Sequence, residues 1–216
     1  MRLSFICFLI LFCEFFSYGQ IIRNENESAE MFANRIKPDS TIIVHTVFEM
    51  KQLDTSKNVI IAFYEKTIYE VKQMDTYVDR SEYKEIDGIM YVPISVNQYK
   101  KIAIGSILAD GGDPEIISVF FANADKDKNK ELIVLSKIDQ RHYDYGGAFY
   151  ETYIFDYSKA KNEFKYLDKL SELFWGCECG WREGRKEKAK YKTASEIKAK
   201  LKKMGYNYFN RKTQKG

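Results

Sequence analysis

Between two apolar runs, Ile116-Ile117-Ser118-Val119-Phe120-Phe121 and Leu132-Ile133-Val134-Leu135, the chain reads Asn123-Ala124-Asp125-Lys126-Asp127-Lys128-Asn129-Lys130-Glu131. The flanking runs are β-branched and aromatic, so both are predicted as strands, and the nine residues become the tip of a hairpin. Within that tip, oxygen-bearing side chains take alternate positions. A hard cation such as Ca²⁺ needs about six to eight oxygens at about 2.3–2.6 Å. Asn123, Asp125, Asp127 and Glu131 supply positions 1, 3, 5 and 9 of such a loop, and the backbone carbonyl of Asn129 supplies position 7. Two features depart from the strongest calcium loops. Asn123 is neutral where an acid would bind more tightly, and Lys128 stands at the sixth position, where glycine usually makes the sharp turn. The competing reading is a solvated charged turn, since Asp and Asn are ordinary turn residues. In that case Lys126, Lys128 and Lys130 alone would offset the clustered carboxylates, and exposed lysines do so weakly.

The chain opens with Met1-Arg2, runs apolar over 3–16 with one interruption at Glu14, and reaches Ser17-Tyr18-Gly19-Gln20. A charged start, a short apolar core and small residues before Gln20 predict a secretory signal, 1–19, cleaved after Gly19. The run is shorter than the roughly 20 residues that span a bilayer. The expected location is therefore a periplasm, a cell surface or the medium, with no integral membrane span left after cleavage. Cys7 and Cys13 leave with the signal, so only Cys177 and Cys179 remain. An oxidising compartment permits their pairing, although in an extended segment their Cα atoms lie near the upper limit for a disulfide. Free thiols or a local pair are the expectation. Two sulfurs without a companion His or Cys pair do not make a four-ligand zinc site.

The formal charge of +3 hides a polarity: from Gly180 onward there are 13 Lys+Arg against 3 Asp+Glu, and before it 21 against 28. The pattern along the chain divides it into a polar lead, 20–40, a β-rich domain, 41–176, and a basic helical extension, 177–216. In the lead, 28–36 is weakly amphipathic. Strand-like runs follow at 41–48, 58–64, 66–71, 89–94 and 102–108, and 150–157 alternates so that Tyr153, Phe155 and Tyr157 share a face. Leu167, Leu170 and Phe174 have helical spacing. Thr193-Ala194-Ser195-Glu196 is a capping box ahead of Ile197, Leu201 and Met204, with Gly205 as the stop. The fold class expected is α+β, mainly antiparallel β as a meander or sandwich, with a C-terminal helical extension.

The chain has two histidines, His45 and His142, no nucleophile elbow and no Gly-rich phosphate loop. That composition favours binding over catalysis. The stretch Arg141-His142-Tyr143-Asp144-Tyr145-Gly146-Gly147-Ala148-Phe149-Tyr150 is the candidate binding loop, with Arg141, His142, Tyr143, Tyr145, Phe149 and Tyr150 as contacts. Rings give large contact area at small entropic cost, and Gly146 and Gly147 would let the backbone enter a cleft. The alternative is that these rings complete the core. A basic tail without any recognised motif gives no reason to expect nucleic acid.

From about 116 to 170 the chain resembles exported single-domain proteins with a VCBS or FG-GAP-like calcium loop. The resemblance rests on Asn123-x-Asp125-x-Asp127-x-Asn129-x-Glu131-Leu132, and on Gly146-Gly147-Ala148-Phe149-Tyr150 leading to Tyr153-Ile154-Phe155-Asp156-Tyr157 and Phe164. Some members of that group are similar to periplasmic lysozyme inhibitors, which insert a loop into the enzyme cleft. The resemblance implies a structural Ca²⁺ and a protein partner in the cell envelope, a lysozyme-like hydrolase among the candidates. On this reading calcium orders the neighbouring aromatic loop. The other readings are an envelope hydrolase acting on glycans through paired carboxylates, and a structural envelope component whose basic helix rests on an anionic surface.

Overall fold

The computed structural model describes residues 21–51, 58–73 and 78–206; the expected signal, 1–19, lies outside them. The described residues form two six-stranded antiparallel sheets. In the first, β4 (Val59–Gln73), β5 (Val78–Pro93) and β6 (Gln98–Ile107) run as a meander. The short β1 (Ile21–Ile22) pairs with β6, while β2 (Thr41–Ile43) and β3 (Phe48–Met50) both pair with β4. The second sheet repeats the plan with β7 (Pro114–Ala122), β8 (Glu131–Arg141) and β9 (Tyr145–Ser158). Here β10 (Glu163–Tyr166) and β11 (Gly176–Trp181) pair with β9, and β12 (Lys186–Glu187) pairs with β11. The expected α+β, mainly antiparallel class is the observed one, and both of its forms are present, since two meanders meet as a sandwich.

Side-chain alternation explains the layering. Val59, Ile61 and Phe63 point at the second sheet and pack with Ile86, Met90, Leu132, Val134, Tyr153 and Phe155. Their neighbours Ile60, Ala62 and Tyr64 point the other way, onto Phe32 and Ala33 of α1 (Ala29–Arg35). Likewise Ile133, Leu135 and Ile154 turn from the sandwich toward Phe174, just past α2 (Asp168–Glu172), and toward Ile197 and Leu201 of α3 (Ala194–Lys203). Helix, sheet, sheet and helix are thus stacked. Runs such as 59–64 and 132–135 are continuously apolar because both of their faces are covered. Each such side chain contributes about 1.5–3 kcal/mol on burial. Buried hydroxyls are satisfied in the same layers: the Tyr64 hydroxyl donates to the Ala33 carbonyl at 3.1 Å and lies 3.0 Å from that of Tyr91.

Local signals set the helix ends. Ser28 caps α1 by accepting from the Met31 N–H, and Thr193 caps α3 by accepting from the Glu196 N–H. Glu196 reaches back one residue further than a standard capping box, accepting from the Lys192 N–H at 2.8 Å; that bond, with one from Thr193, lowers its pKa. Gly205, at φ +90°, ends the turn after α3.

Several expected boundaries move. The run 41–48 breaks into β2 and the start of β3, while 58–64 and 66–71 join into β4. The polar lead is tied down, with β1 on the first sheet and α1 over it. The stretch 177–216, expected as a helical extension, begins inside β11 and carries α3 onto the second sheet, so its described part belongs to the sandwich. Cys177 and Cys179 share a face of β11, with Cα atoms 5.2 Å apart, and are joined as a disulfide.

Candidate metal centre and aromatic face

The turn between β7 and β8 is the acidic loop, and its carboxylates converge. Carboxylate oxygens of Asp125, Glu131 and Asp156 all lie within 4.8 Å of one another. Strand register brings in Asp156: Leu132 faces Phe155 across the β8–β9 ladder, so the residues beside that pair, Glu131 and Asp156, become neighbours. Glu131 is fully buried. One of its oxygens accepts from the Ala124 N–H, while the other, Oε1, has no hydrogen-bond partner. Asn123 is in a similar position. Its Nδ2 donates to the Asp127 carbonyl at 2.7 Å, and its Oδ1 is buried without a partner.

Asp127 and Asn129, also expected as ligands, stand outside the three-acid cluster. The Asp127 carboxylate is occupied within the loop, accepting from the Asn129 N–H at 2.6 Å and from its side-chain amide at 3.1 Å. Asn129 presents its carbonyl to Asn123 Nδ2 at 3.4 Å. The Asp127 N–H in turn donates to Asp125 Oδ1 at 2.7 Å. These short loops of hydrogen bonds coil the backbone around the acids.

The electrostatics follow from burial. Desolvation pushes the Glu131 carboxyl up to about 7, and the charges of Asp125 and Asp127 act in the same direction. Burial and the same two charges raise Asp156, while Lys165 opposes the shift. A buried carboxylate with an oxygen left bare costs free energy unless a proton or a cation meets it. The donors are all oxygens, the set that suits a hard divalent ion.

The aromatic stretch lies at the far end of β8. That strand has 11 residues, so at about 3.3 Å per residue the two turns are separated by roughly 33 Å. An ion held at the acidic turn would therefore not touch the aromatic one. The turn itself is only 142–144, because β8 continues to Arg141 and β9 starts at Tyr145. Tyr145 and Phe149 share one face with Trp181 and Trp175, whereas Tyr150 turns to the opposite face, against the cluster that includes Ile154 and Phe174. His142 stacks on Tyr145 at 4.5 Å between ring centroids, and Tyr145 lies 5.6 Å from Trp181. Arg185 covers Trp181 at 3.9 Å and Arg182 covers Tyr143 at 3.8 Å. Arg141 and Tyr143 are exposed, Tyr143 by 79%.

Of the two adjacent glycines, Gly147 is required by the sheet, while Gly146 also lines a shallow cleft with His142, Tyr145 and Trp181. A Cβ on Gly147 would sit 2.2 Å from the Glu178 carbonyl oxygen, so only glycine lets β11 pair at that point. Gly146 is paired beside it, opposite Gly180.

Comparison with protein-family models, with characterised proteins and with solved structures finds no match for this chain. No helix among the described residues is long and apolar enough to cross a membrane.

Proposed function

We propose that this chain is an exported binding protein and not an enzyme, with a structural calcium ion held in the turn between β7 and β8. The observation that carries the reading is the fully buried Glu131, whose Oε1 has no partner and whose carboxylate converges with those of Asp125 and Asp156. A proton alone answers that charge only below the raised pKa; a divalent cation answers it at every pH where the acids are ionised. Asp125, Glu131 and Asp156 would hold the ion, with Asn123 Oδ1 as a neutral donor. Its role there is to neutralise acids and lock the hairpin tip.

Recognition is assigned to the other end of β8, where Tyr143 and Arg182 form an exposed aromatic–arginine pair. Residues of these kinds dominate protein contacts. The partner class is a protein of the cell envelope, a lysozyme-like hydrolase in particular. A disulfide between Cys177 and Cys179 suits an oxidising compartment.

Thermal unfolding of the mature protein in Ca²⁺ and in chelator tests the metal. A ligand bound only by the folded state adds about 2.7 kcal/mol at a hundred times its Kd, which is about 5–10 °C in Tm for a domain of this size. Identical melting curves in the two conditions would remove the calcium from this account.

A further inference from the structure

A second site opens where the first sheet ends. Beyond Ile107 the chain leaves β6, and a cleft of about 600 Å³ separates Leu108 and Asp110 on one side from Glu151, Tyr153, Tyr166 and Trp175 on the other. That volume lies within the range of about 300–1,000 Å³ usual for small-molecule sites. The second half of β9 is buried beneath the first sheet and its first half only half-covered, and Glu151 sits at the change.

Rings make the walls. Tyr166 lies 5.9 Å from Tyr153 and 5.6 Å from Phe155, centroid to centroid, and Trp175 meets Phe149 edge-on at 6.3 Å. Within these walls Glu151 is 6% exposed, with one oxygen accepting from the Tyr153 hydroxyl at 2.6 Å. The residues lining the cleft include two charged groups, Glu151 and Asp110, both acidic, and no Lys, Arg or His. Burial, aided by the charge of Asp110, raises the Glu151 carboxyl above its ordinary range. A ligand cation would replace the missing counter-charge, and the ring faces would attract it as well.

We propose that this cleft binds an organic cation, an ammonium group carried on an apolar body, with the ammonium against Glu151 and the body among the rings. A glycan would also stack on the rings, but it carries no charge to answer a buried carboxylate. The site stands apart from the calcium reading: Glu151 is not among the three converging acids, and the test below is run in the presence and in the absence of chelator.

Tryptophan fluorescence and calorimetry would follow hexyltrimethylammonium, 1-hexanol, hexanoate and the neutral N,N′-diacetylchitobiose (chitobiose below) added to the mature protein. The expected result is saturable binding of hexyltrimethylammonium at least about tenfold tighter than 1-hexanol, with hexanoate weaker still. Glu151→Gln, which keeps an acceptor for Tyr153, should lose about tenfold for the cation and little for the alcohol. Equal affinity for cation and alcohol, binding of chitobiose without binding of the cation, or unchanged cation affinity in Glu151→Gln would each overturn the proposal. Should Glu151→Gln fail to fold, the ranking of the four probes on the unaltered protein decides alone.

Discussion

The two ends of β8 carry an acidic turn and an aromatic one, and they are built on opposite principles. At Arg141 the rings and cations satisfy one another: His142 on Tyr145, Tyr145 beside Trp181, Arg185 over Trp181 and Arg182 over Tyr143. At Glu131 three acids converge and two buried oxygens are left without partners. Unmet demand in a buried place points to a ligand more strongly than exposed rings do, because the cost of leaving it unmet is large and local. The aromatic end is self-sufficient in stability and the acidic end is not.

The contrast is sharpest where the aromatic end is closed by backbone contact. Gly147→Ala would drive a Cβ into the Glu178 carbonyl and should cost about 3–5 kcal/mol, read as the loss in chemical denaturation. A loss below about 1 kcal/mol would mean that β11 is not fixed there.

At the acidic end the sign of a pH effect separates the metal-free protein from the loaded one. In chelator, the folded-state pKa of Glu131 is about 7 against an ordinary 4.5, so the folded state binds the extra proton. Its contribution is then fully present below about 4.5 and is lost as pH rises toward 7, about 3 kcal/mol in all. Calcium should abolish that decline, since it replaces the proton. Denaturant midpoints measured from pH 4.5 to 8 in chelator and in Ca²⁺ check this; parallel curves would show that the acids are not coupled to an ion.

The smallest effect is expected at the exposed tip. Tyr143→Ala should change stability by less than about 0.5 kcal/mol while reducing capture of an envelope partner, and undiminished capture would take Tyr143 out of the interface. The same substitution thus separates what holds the fold from what faces outward.

The acidic loop was legible because alternation of oxygens in a short turn is a local pattern. Asp156 was not, although it completes the cluster, because it arrives from 25 positions beyond Glu131 through strand register. One signal was present: Asp156 follows Thr152 and Ile154 on the same parity, so an acid continues a buried face. The sandwich was legible from continuous apolar runs at 59–64 and 132–135. β11 was hidden because Gly176, Cys177, Cys179 and Gly180 are poor advertisements for a strand, and its place depends on Gly147 across the ladder. The glycines at 146 and 147 were visible as unusual, but the need at Gly147, close passage of another strand, is a tertiary fact. Asp127 stands apart from the three converging acids for a similar reason. Spacing shows which residues can converge, and competition from the Asn129 amides decides which do.

Calorimetric titration of chelator-treated protein with Ca²⁺, alongside Glu131→Gln and Asp156→Asn, bears most directly on the central claim. The account predicts one saturable site in the unaltered protein, weakened at least tenfold by either substitution. Absence of binding, or binding that both variants retain in full, would contradict it.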